Sequence, residues 1–279
     1  MAVLERNLVT PVPTRWNSLY DSLTCLLAFD KATLDRLCDE LSLNRLTEME
    51  LNFLKEYQEA LQALAMALDK LQGQNECYYG FVIPVLRQVE KQLMERLADS
   101  MTFTEPMVRA ALAGLRKRFG PLLDQHPSQI DALLATVSHP QFKLKPIRRE
   151  LRDDIKSQLL VEAELLSPKS PTAKPGKKTD NYFQFTDDEE DSDTDFSEKN
   201  KISIEVCQYL EDQRTSIDIL HKYPAVKRVF IKYNTTIPSS APVERLFSFA
   251  SIILSGRRGL LSDDDFEMLT ILKATKAFQ

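Results

Sequence analysis

With 279 residues, 43 % of them hydrophobic and 28 % charged, the chain can bury one large core or two smaller ones. A net charge of −5 lacks the basic footprint of a freestanding nucleic-acid binder, and seven glycines against abundant Leu, Glu, Lys, Arg and Ala favour helices over sheets. No apolar run is long enough for a bilayer, and Glu5 and Arg6 follow Met1 without the apolar core of a secretory signal.

Residues 1–13 read as a Pro-stiffened arm that runs into a helix, with Thr14 as its N-cap. Leu19, Leu23, Leu26, Leu27 and Phe29, then Leu34, Leu37, Cys38 and Leu41, keep helical spacing. A second helix is expected from Thr47 to Leu71, opened by a Thr47–Glu50 capping box. After the break at Gly73–Gly80, a third helix spans Phe81–Met101 with Pro84 in its first turn. Further helices are expected over Glu105–Leu122, Gln129–Thr136 and Ile147–Leu166, so residues 14–166 form an all-helical block. The cysteines (Cys25, Cys38, Cys77 and Cys207) are scattered, with no C-x-x-C pair, and indicate neither a disulfide framework nor a zinc site.

Residues 167–200 break this pattern. They hold nine acids and five bases, most of the chain's net charge, and the stretch Thr186–Glu198 packs eight acids without a base. Such a segment buries too little apolar surface to offset its ordering entropy, and it reads as a disordered acidic linker. Ser192, Thr194 and Ser197 sit among acids in the manner that suits an acid-directed kinase.

Residues 201–279 return to helices, expected near Ile202–Gln213, Tyr223–Tyr233, Val243–Ser255 and Asp263–Lys276, the last with Ser262 as N-cap and Asp263–Asp265 on its positive end. The third carries one acid, Glu244, beside Arg245 among Val243, Leu246, Phe247, Phe249, Ala250, Ile253 and Leu254. An ionised carboxylate in such company is costly unless it is paired or binds a cation. The plain account sets Glu244 in the first turn, where the macrodipole favours it, with Arg245 in water.

The run Ser240-Ala241-Pro242-Val243-Glu244-Arg245-Leu246-Phe247-Ser248, with Arg257, Arg258 and Ser262–Asp265 beyond it, resembles the C-terminal dimerisation region of hAT-superfamily transposases. Thr14-Arg15-Trp16-Asn17-Ser18 resembles that family's R-W motif, and Leu71–Leu86 with His139–Leu144 resemble landmarks of its all-helical insertion. The resemblance thus spans nearly the whole chain, without the BED-type zinc finger of some relatives. Departures are Ala250, where the family has Gly after F-S, and residues 218–222, where an aromatic pair is replaced before Tyr223-Pro224.

The resemblance implies an all-α fold: a helical insertion-like domain (14–166) and the C-terminal helices (201–279) of a truncated RNase H-like core, joined by the linker. It also places Glu244 at the family's third metal-binding carboxylate. Two-metal phosphoryl transfer needs several carboxylates around two ions, so one glutamate cannot hold them and no activity is expected from this polypeptide alone. Mg2+ would belong to it only as part of a longer enzyme, and no other cofactor or metal is implied. Dimerisation is expected from Phe247, Phe249, Ile252, Ile253, Phe266, Leu269 and Leu272, and DNA contact from Arg15, Trp16, Arg257 and Arg258. Trp16 is the only tryptophan, a core anchor by physics alone and a base-stacking platform by resemblance. The expectation is a nuclear, transposon-derived homodimer, with neither a membrane nor a small-molecule substrate. Two alternatives stay open: a fragment of a longer active transposase, and a helical scaffold or transcriptional regulator working through its acidic linker.

Overall fold

The computed structural model describes residues 8–12, 16–73, 77–168, 193–254 and 261–277, with the backbone alone for Trp16, 193–198, 274, 276 and 277. The described residues contain eleven α-helices, four short 3-10 turns and no strand. The fold is all-α. Two compact units emerge, and each draws on both sides of the segment 167–200.

The first unit comprises Met1–Cys77, Val85–Asp124 and Ile237–Gln279. Its opening helices are α1 (Trp16–Leu27) and α2 (Lys31–Glu40), separated where the Asp30 side chain accepts the Thr33 amide and caps α2. Helix α3 (Glu48–Leu71) starts with the expected capping box: Thr47 Oγ1 accepts the Glu50 amide at 3.2 Å, and Glu50 Oε2 accepts the Thr47 amide at 2.8 Å. Helix α1 packs on α3, whose Ala60, Ala63 and Ala65 are buried and let backbones approach closely. There the Asn17 side chain donates to Ala65 O at 3.2 Å. Phe53 points outward instead, stacking on Tyr57 and meeting Phe103 edge to face.

Helix α4 (Val82–Ala98) has Pro84 in its first turn, as expected, and α5 (Glu105–Leu123) has Pro106 in its first turn. The N-cap residue of α5, Thr104, makes no capping bond of its own. Glu56 of α3 does that work, accepting the amides of Thr102, Phe103 and Thr104 at 2.8–3.1 Å and the Thr104 hydroxyl at 2.9 Å.

The second unit comprises Tyr78–Pro84 and Gln125–Thr236. At its centre is α6 (Ile130–Ser138), in which every residue from Ala132 to Ser138 is buried. A helix apolar on all sides needs partners on all sides. They are the 3-10 turn Tyr79–Phe81, α7 (Arg152–Leu165) and α9 (Pro224–Asn234), with α8 (Asp193–Glu211) packed on α7 and α9. Helix α8 begins inside the stretch expected to be linker, so the end of the acidic run is helical. Residues 169–192 of that expected linker lie outside the described residues.

Candidate interaction surface and carboxylate site on the C-terminal helices

Helices α10 (Ala241–Ile253) and α11 (Asp263–Ala277) pack against each other within the first unit. Pro242 occupies the first turn of α10, where its missing N–H leaves no intrahelical bond unmade. Ser262 opens α11 as expected, its hydroxyl oxygen accepting the Asp265 amide at 3.2 Å.

Glu244 sits in the first turn of α10, exposed, with the Ser240 hydroxyl donating to its Oε1 at 2.6 Å. Dipole and hydroxyl together account for the acid among apolar neighbours. Among the described residues, no three His, Cys, Asp or Glu side chains are grouped to hold a metal ion. One serine-tied carboxylate is by itself too small a donor set for a two-ion Mg2+ centre.

Arg245 turns inward. Its NH1 donates to Gln72 O at 3.0 Å, at the carboxyl end of α3, while its Nε and NH2 are closed off from water without a hydrogen-bond partner. The expectation of Arg245 in water is thereby corrected: a guanidinium complements the unpaired carbonyls and negative dipole at a helix C-terminus.

The apolar residues of the pair divide into two sets. Ile253 is buried in its own chain, and Phe249, Phe266 and Leu269 are half-buried. Exposed are Phe247 (66 %), Ile252 (58 %) and Leu272 (54 %), joined by Val243, Leu246, Leu254, Met268 and Ile271. A scattered exposed leucine is ordinary, but this many large apolar side chains on two adjacent helices is not. Arg15, Arg257, Arg258 and the Trp16 side chain lie outside the described residues.

The second unit holds polar features whose burial and partners the sequence does not reveal. His139, from the HPQFKL landmark, is buried in an aromatic box of Tyr78, Phe81, Phe142 and Phe230, with ring centroids 5.0–5.7 Å away. Burial pushes its pKa down to about 4, and its Nε2 has no partner. Lys143, four residues on, is also buried, in a left-handed conformation at φ 51. Its ammonium donates to Asp212 O just past α8 and lies 4.9 Å from the centroid of the Tyr209 ring. Burial depresses the Lys143 pKa. Asp212 in turn accepts from Arg214 and from the Tyr223 hydroxyl, which hold its carboxyl well below the usual range. Each of these groups fixes one segment of the unit to another. A single lysine between apolar residues carries no signal in the sequence that would have revealed it.

Compared with family models and with curated proteins, the chain matches none.

Proposed function

We propose that this chain is a transposon-derived relative of the hAT transposases, inactive as a nuclease on its own, whose role is self-association through α10 and α11. The observation that carries the reading is the row Phe247, Ile252, Met268, Ile271 and Leu272, left exposed where two packed helices leave apolar surface in water. A second copy offers a self-complementary cover, because one patch serves both subunits of a two-fold dimer. The S-A-P-x-E-R-x-F-S run over Ser240–Ser248 supports the family assignment, and nuclear residence follows from it. DNA contact through Arg15, Trp16, Arg257 and Arg258 belongs to the same proposal.

Sedimentation of the full chain at tens of micromolar tests the central point. Wild type is expected to dimerise and the Phe247→Glu variant to stay monomeric; a monomeric wild type sinks the proposal. Salt-sensitive binding to duplex ends, weakened in Trp16→Ala, tests the DNA contact.

A further inference from the structure

Two arginines elsewhere in this molecule hold a carboxylate by one edge of the guanidinium. Arg45 gives Nε and NH2 to the two oxygens of Asp39, at 2.8 and 2.5 Å. Arg214 does the same to Asp212, at 3.1 and 2.6 Å. Two parallel bonds to a planar oxyanion are the arrangement this fork favours. In Arg245 the same Nε–NH2 edge is vacant, although it is shut away from water and only NH1 is engaged, on Gln72 O. Charged donors without partners in a sheltered place are costly, and such groups call for an explanation.

Among the described residues, the neighbouring groups do not supply the anion. Glu244 faces away, as adjacent helical residues do, and accepts from Ser240. Cys77 is close enough to feel the arginine's charge, but burial holds its thiol above the ordinary pKa, and it donates to Leu71 O at 3.0 Å. The packed helix α11, by contrast, opens with three aspartates in a row. Asp265 serves the Ser262 cap, while Asp263 and Asp264 are exposed and have no side-chain partner among the described residues. Cation and acids thus sit on the same two helices as the exposed apolar row.

We infer that the Arg245 fork is completed by a carboxylate from a second copy of the chain, Asp263 or Asp264 of its α11. Arg245 is half-exposed as a whole, so a swing of its long side chain presents the fork to the partner. Two-fold symmetry makes the pair twice, flanking the apolar centre around Phe247 and Ile252. Such pairs fix register and orientation more than they add raw affinity. The inference rests on the self-association reading and adds to it the polar contacts that orient the two copies.

Charge reversal in the full chain tests it, read as the dimer dissociation constant by sedimentation, with circular dichroism melts to verify folding. Arg245→Glu, and separately Asp263→Arg with Asp264→Arg, are each expected to raise the constant about tenfold, and all three changes together to return it to within about threefold of wild type. Arg245→Lys keeps the charge but loses the fork, and is expected to fall between. A wild type that stays monomeric overturns the self-association reading and this pairing with it. A wild-type dimer that Phe247→Glu dissociates but the reversals leave unchanged, or that the triple variant fails to restore, overturns the pairing alone. Should Arg245→Glu not fold, the aspartate variants decide: a constant equal to wild type rejects the pairing.

Discussion

Asn234, at the end of α9, accepts the backbone N–H of Gly80 at 2.8 Å, although 154 positions separate them. The same side chain donates to Ala135 O at 3.0 Å and to Ser138 Oγ at 3.2 Å. Tyr209 completes the arrangement, its hydroxyl placed 2.7 Å from Ser138 O and 3.2 Å from Val137 O. The orphan carbonyls at the carboxyl end of buried α6 are therefore met by side chains from α8 and α9, where water cannot reach.

That junction makes Gly80 irreplaceable. A Cβ there would lie 2.5 Å from Ala135 O and 2.8 Å from Asn234 Oδ1, closer than such atoms come. Gly80→Ala is expected to cost about 3 kcal/mol, as overpacked sites do, and Asn234→Ala a similar amount by leaving the Gly80 amide and Ala135 carbonyl unpaired. Gly114 is the control: nothing lies within 4 Å of its Cβ position, so Gly114→Ala in the interior of α5 should stabilise by about 0.5–1 kcal/mol. Urea unfolding of the three variants checks the ranking.

Glu56 gives a pH-dependent anchor in the other unit. Its partial burial pushes the carboxyl pKa up, but the amides of Thr104, Phe103 and Thr102 and the Thr104 hydroxyl outweigh that and bring it down to about 2 from 4.5. Because the folded value is the lower one, this stability is present above pH 4.5 and drains as the pH falls towards 2. Glu56→Gln is expected to lower stability at pH 7 by on the order of 1 kcal/mol, the side chain being only partly sheltered, and to flatten the acid limb below pH 4.5. Melts of both proteins across that range measure the difference.

Legibility follows the range of the interactions. The start of α3 is written in four adjacent residues, Thr47 to Glu50, and the start of α11 in Ser262 to Asp265, so local chemistry announces both. Periodicity places helix α6 about where it lies, but nothing local tells that Ile130–Ser138 is the pillar around which a unit is built. Asn234 reads locally as an ordinary helix terminus, since its partners come from the loops and helices of distant segments. The candidate site shows the same split. The apolar row on α10 and α11 follows from periodicity, whereas the inward turn of Arg245 depends on where the end of α3 falls. Composition hides the helical start of α8 at Asp193, because a dense acidic run looks alike whether it precedes a helix or enters one.

His139 predicts a second pH effect with its own window. The folded ring takes up a proton near pH 4, and the unfolded ring near 6.5. Protonation thus favours the unfolded chain, so the stability that depends on a neutral ring is complete above pH 6.5 and falls as the pH drops from there to 4. Across that window the slope from this one group reaches at most about 1.4 kcal/mol per pH unit. His139→Phe keeps an aromatic ring in the box and removes the titration. Urea midpoints at about pH 7 and about pH 5 should therefore separate less in the variant than in wild type.

Phe247 and Ile253 lie on one helix and should respond oppositely to truncation. Ile253 is 4 % exposed, so Ile253→Ala leaves a cavity within the first unit and is expected to cost about 2–4 kcal/mol of folding stability. Phe247 is 66 % exposed, so Phe247→Ala removes little from the monomer's core, and its folding stability should stay within about 0.5 kcal/mol of wild type. Its effect belongs to association, where a large aromatic at the centre of a patch carries a disproportionate share of the binding energy. Unfolding measured at low concentration, where copies are apart, isolates the first effect. Sedimentation at high concentration isolates the second. A Phe247→Ala chain that is destabilised as a monomer yet associates like wild type would place this side chain in its own core and remove it from the interface.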